Sequence, residues 1–206
     1  TRMQDAMPVA SFHLQSVLAR SDQSADVWSD TTPPSFTKLH VVSSHPDVAD
    51  PANPPPVAGG GGKFVYIKSV VMDGAAIADA GLTQMLPPAL QTAPEVVFVF
   101  ATSWRSRQSD MYLAAFALRD IEAGPSSWSY YVGSNRWSNR EADAVELLGT
   151  EDVNQHSVTW NTMLRRFVLM RSTRGIVVAQ FATAPWGPWS TPQPVRGETL
   201  SRTYIP

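Results

Sequence analysis

Apolar positions along this chain fall in short runs separated by turn-forming residues, without the three-to-four spacing of amphipathic helices. Lys63–Met72 is rich in β-branched and aromatic side chains, a composition suited to a packed, pleated strand. Glu95–Thr102 is apolar almost throughout, which predicts a strand covered on both faces. Met111–Leu118 fits strand or helix by composition. Its flanks, Ser109-Asp110 before and Trp128–Gly133 after, decide for strand. Ser157–Trp160 predicts a further short strand, and Leu164–Met170 with Ile176–Ala182 predicts a hairpin turning at Arg174-Gly175. Ala75–Ala80 and Arg140–Leu148 read as short helical pieces.

Three breaks rich in Pro and Gly punctuate these runs: Pro33-Pro34, residues 47–62, and Ala184–Trp189. The second holds Pro54-Pro55-Pro56 and Gly59-Gly60-Gly61-Gly62. Proline removes a backbone donor and glycine adds freedom, so 47–62 is expected to be a surface loop within a single domain spanning 1–206. Trp followed by Ser recurs at Trp28, Trp128, Trp137 and Trp189. One tryptophan sealing each of several radially repeated sheets would produce that rhythm, so the pattern favours an all-β propeller over a sandwich or barrel.

Composition narrows the chemistry. The 206 residues are 17% charged, below the roughly 25% usual for soluble domains. Lys and Arg number 16 against 18 Asp and Glu, so the chain carries no electrostatic footprint for nucleic acid. No apolar run approaches the roughly 20 residues of a membrane-spanning helix. The absence of Cys excludes disulfides, thiolate metal sites and Cys nucleophiles.

Several segments of the C-terminal half resemble one family. They are Val99–Arg107 with Met111–Ala114, Trp128–Gly133 with Trp137, His156–Asn161 with Leu164, Arg166 and Phe167, and Thr183–Ser190. In this order they resemble the domain of unknown function numbered 4185, over about Glu95 to Val195. That family is similar to the five-bladed β-propeller glycoside hydrolases of the arabinanase and invertase type. The resemblance therefore implies a propeller of that type, with about four blades of 40–50 residues visible in this chain. It also implies hydrolysis of furanosyl, arabinan-type linkages in an extracellular or cell-wall polysaccharide, at an extracellular or cell-surface location.

One departure keeps a second reading open. The family's opening blade carries a Gly-Asp-Thr-like segment with a catalytic Asp, and none is found here. The chain is then a piece of a longer protein, a shortened relative, or one whose propeller is completed by a partner chain or upstream segment. Thr1 opens it without an initiator Met or signal-like segment. The alternative to a hydrolase is a non-catalytic carbohydrate-binding or structural propeller, which leaves open whether the chain is an enzyme.

Glycoside hydrolysis needs two carboxyl groups flanking the scissile bond. Asp110, between two strands and close in sequence to Arg105 and Arg107, is the catalytic candidate. The two arginines offer rigid donor forks for sugar hydroxyls, and the resemblance places the family's Arg on Arg107. His156, Ser157 and Asn161 form a second polar cluster, and Trp160 supplies an aromatic face for a sugar ring. All are candidate substrate-binding residues. A triad of Ser157, His156 and Asp110 is excluded because neighbours on a strand face opposite ways. Glu141, Asp143, Glu151 and Asp152 read as a solvated face. His40, His45 and Asp47 lack a complementary ligand pair, and Gly59–Lys63 lacks the phosphate-loop order. No metal and no cofactor are expected, and the partner class is carbohydrate.

Overall fold

The computed structural model describes residues 15–21, 36–44, 62–103, 110–149, 153, 155–173 and 176–195. Among them are eleven strands in three antiparallel sheets. β1 (Gln15–Ser21) and β2 (Phe36–Ser44) pair as a hairpin. β3 (Tyr66–Asp73), β4 (Glu95–Thr102), β5 (Met111–Ala117), β6 (Ser129–Tyr131) and β7 (Trp137–Ser138) form a five-stranded sheet in chain order. β8 (His156–Asn161), β9 (Arg166–Thr173), β10 (Ile176–Ala182) and β11 (Gln193–Pro194) form a four-stranded sheet in which β8 is one edge.

The five-stranded sheet is the middle layer, and its composition shows why. Every residue of β5 is buried, as is every residue of β4 after Glu95. On one face, Val96, Phe98, Phe100, Met111, Leu113 and Ala115 pack with Val158, Phe167 and Leu169 of the four-stranded sheet. Phe167 stands edge-on to Phe98, with ring centroids 5.9 Å apart. On the other face, Val97, Val99, Tyr112, Ala114 and Phe116 pack with Trp128, Val42 of β2 and Leu18 of β1. Alternation along two doubly buried strands thus serves two separate cores.

A short helix, α1 (Gly74–Asp79), follows β3 directly. The Asp73 carboxylate starts it by accepting from the Ala76 N–H at 2.7 Å, satisfying a donor that the first turn leaves open. The helix expected at Arg140–Leu148 is reduced to one 3-10 turn, Glu141–Asp143. Its would-be helical donors are taken by the sheet: Val145 N–H bonds the Tyr131 carbonyl and Leu147 N–H bonds that of Met111. Leu118–Ser127 forms 3-10 turns broken at Gly124.

The propeller expectation is not met. The sheets hold two, five and four strands, and none is closed or set in a radial blade arrangement. The Trp-Ser rhythm misled for a concrete reason. Trp128-Ser129 and Trp137-Ser138 lead into or lie on β6 and β7, neighbours in one sheet. Trp128 stacks on Phe116 of that same sheet at 5.2 Å, with rings 2° from parallel. It seals a core within one layer rather than the seam between two blades. Trp28, Pro33-Pro34 and all of the 47–62 segment except Gly62 lie outside the described residues.

Candidate functional site

Asp110 has no exposed surface. Its Oδ1 accepts from the Met111 N–H and, at 3.0 Å, from the Leu148 N–H. The carboxylate fastens residues 147–148 to the opening of β5, and Leu147 N–H to Met111 O at 2.9 Å repeats the link. Arg105, Arg107 and Trp104 lie outside the described residues.

The second predicted cluster is divided by the pleat. His156 is buried and sits opposite Arg171 in the β8–β9 register. Arg171 Nε donates to Gln180 Oε1 at 2.9 Å, and Gln180 Nε2 donates to the Ser190 carbonyl at 2.8 Å. These residues form a polar row on the buried face of the sheet. Ser157 is exposed on the opposite face, as strand alternation requires. Asn161 closes the β8–β9 turn by accepting from the Leu164 N–H at 2.9 Å. His156, Ser157 and Asn161 therefore do not converge on one site.

Trp160 is placed differently. It shares the inward-facing alternation of His156 and Val158 but is only half-buried. Its ring packs on Phe167, with centroids 4.9 Å apart. Trp160 also lines an open groove of about 430 Å³ where β3 runs beside β8. One wall is the continuous stretch from Ser69 to Asp73 with Ala76, and the other is Val158, Thr159, Trp160 and Thr162. β3 and β8 are both terminal strands of their sheets, so the groove lies between two sheet edges. Trp137 and Trp186 do not join it. They pack with Tyr131, Trp186 stacking on Tyr131 at 5.4 Å.

A third locus escaped the sequence reading. Glu141, expected on a solvated face, is 7% exposed. Its Oε1 accepts from the Ser43 hydroxyl at 2.6 Å and from the Lys63 N–H at 2.8 Å. Burial pushes the Glu141 carboxyl above its ordinary pKa, while the Ser43 hydroxyl, the Lys63 and Phe64 N–H groups and the Lys63 charge pull it back. Lys63 Nζ donates to the Ala142 and Ala144 carbonyls, both at 2.7 Å, and lies 5.3 Å from the centre of the Tyr112 ring. Burial lowers the Lys63 pKa, against the attraction of Glu141, Asp143 and Glu146. Burial, and then Glu141, raise that of the Tyr130 phenol. Ser43, Lys63 and Glu141 come from three distant parts of the chain, and no spacing in the sequence links them. The cluster fastens the β1–β2 hairpin to the five-stranded sheet.

These placements remove the hydrolase reading and the carbohydrate-binding propeller with it. Sheets stacked face to face have no axis on which inner strands of several blades could converge two carboxylates. Among the described residues no group of three or more His, Asp or Glu is placed to hold a metal ion. The implied kinship with arabinan-degrading and invertase-type propellers, and the furanosyl-hydrolase activity that came with it, fall with the fold. No helix among the described residues is long and apolar enough to cross a membrane. The chain matches no curated protein. A family model does match residues 64–206, well over half of the chain, and the chain belongs to that family, the domain of unknown function DUF4185.

Proposed function

We propose that this domain recognises an extended polypeptide segment, which lies in the groove between β3 and β8 and adds as a strand to the β3 edge. One observation carries the reading. The groove wall is five consecutive residues of an edge strand, Ser69 to Asp73, so the main chain itself lines it. In an antiparallel edge strand every second residue directs its N–H and C=O away from the sheet. A polypeptide is the ligand whose own backbone complements that row, with pockets for alternate side chains supplying selectivity. At about 3.3 Å per residue the wall is about 16 Å long, enough for four or five residues of a strand.

The test is to pan a displayed library of random ten-residue peptides on the protein and measure the selected peptides by calorimetry. Binding is expected to be lost when alternate peptide nitrogens are methylated, and to be lost with Val71→Pro on the β3 edge. The reading is overturned if no peptide is enriched, or if methylation leaves affinity unchanged. It is also overturned if furanosyl oligosaccharides bind in the groove where the peptides do not.

A further inference from the structure

We infer that the segment bound in this groove presents a basic side chain, arginine or lysine, to Trp160 and Asp73. The inference rests on the strand-addition reading and adds its side-chain chemistry. Among the described residues lining the groove, Asp73 alone is ionisable, and none is a cation. Asp73 is exposed. Its Oδ1 is occupied by the Ala76 N–H, and its Oδ2 has no partner among the described residues. The cation in the turn after β8 is committed to the end of α1. Arg165, in the turn after β8, donates through Nη2 to the Asp79 carbonyl and lies 3.5 Å from the Asp79 carboxylate.

The described lining of the groove therefore carries one negative charge and no positive one. Trp160 stands on the opposite wall, its ring backed by Phe167 at a 58° tilt. Indole has the most favourable face for a cation, and arginine stacks on it while its fork reaches a carboxylate. The apolar lining from Val70, Met72 and Val158 suits the methylene stem of such a side chain. Trp160 and Asp73 act together as the specificity-determining pair, one holding the plane of the cation and the other its charge.

The probes are eight-residue peptides of alternating Thr and Ser, identical except for one central position carrying arginine, norleucine or glutamate. The unaltered protein is expected to bind the arginine peptide about tenfold tighter than the glutamate peptide, the sum of one cation–aromatic contact and one ion pair at a half-exposed site. Asp73→Asn keeps a good helix cap and is expected to bring that ratio within about threefold while the norleucine peptide binds as before. Trp160→Leu is expected to weaken the arginine peptide more than the norleucine peptide. Equal binding of all three peptides, or an arginine-to-glutamate ratio untouched by Asp73→Asn, overturns the basic-side-chain inference and leaves strand addition standing. Failure of every peptide to bind overturns both.

Discussion

The Ser43 hydroxyl donates to the buried Glu141 carboxylate across 2.6 Å, joining two residues 98 positions apart. The same hydroxyl oxygen accepts from the Phe64 N–H at 3.3 Å. The bond therefore ties three things at once: the end of β2, the chain entering β3, and the turn after β7. Truncating the carboxylate leaves the Ser43 hydroxyl and the Lys63 N–H without their acceptor, and each orphaned group costs about 1–3 kcal/mol. Glu141→Ala should destabilise the fold by about 2–4 kcal/mol. Glu141→Gln, which keeps an acceptor oxygen, should cost less than half as much. Urea unfolding monitored by tryptophan fluorescence measures both.

The Glu141 carboxyl has a folded-state pKa raised above 4.5 by burial. A raised pKa means the folded state holds this proton more tightly than the unfolded chain does. Its contribution is therefore fully present below 4.5 and is lost as pH rises through the folded value. The shift at Lys63 runs the other way, and its effect falls in the window below 10.5. Unfolding free energies of the unaltered protein and of Glu141→Gln, measured from pH 4 to 7, should show the unaltered protein losing ground to the variant with rising pH. A flat difference would mean that the carboxylate is not desolvated in solution.

Much of the local structure was legible and the assembly was not. β4 is found at Glu95–Thr102, where the unbroken apolar run placed it. The β9–β10 hairpin and the short helix after Met72 also follow from pattern. Such elements are set by alternation and turn chemistry within a few residues. How strands group into sheets depends on contacts between distant segments, and the Trp-Ser pairs mark no such boundary, because β6 and β7 each claim one within a single sheet. Glu141 illustrates the same limit. Nothing adjacent to it signals that a serine on β2 and the backbone of Lys63 will enclose its carboxylate. Among the site candidates, Trp160 reaches the groove, Asp110 is enclosed as a loop fastener, and strand alternation separates His156 from Ser157.

Gly124 meets a demand that other residues cannot. Its backbone lies at φ 62° and ψ −150°, a region left essentially to glycine. A Cβ there would stand 2.6 Å from the His40 ring, which itself contacts the Glu122 carbonyl through Nε2 at 2.7 Å. Gly124→Ala should destabilise by about 1–3 kcal/mol from the backbone alone, and more from the clash. His40→Ala in the Gly124→Ala background should recover the clash part. A double-mutant cycle that proves strictly additive would show that the two residues do not meet in solution.

Phe167 joins the core to the groove. It is fully buried, with Phe98, Phe100 and Trp160 rings around it at 5.9, 6.4 and 4.9 Å. Phe167→Ala opens a cavity between the two larger sheets and should cost about 3–5 kcal/mol. Phe167→Leu keeps most of the volume and should cost less, yet it removes the flat surface on which the Trp160 indole rests. That indole should then sample more orientations, with a red-shifted and more readily quenched emission, while the denaturation midpoint moves only modestly. If Trp160 is held in place by Phe167, acrylamide quenching should rise in Phe167→Leu in step with a loss of preference for the arginine peptide. Unchanged quenching and unchanged preference would instead show that the β3 wall of the groove alone positions the indole.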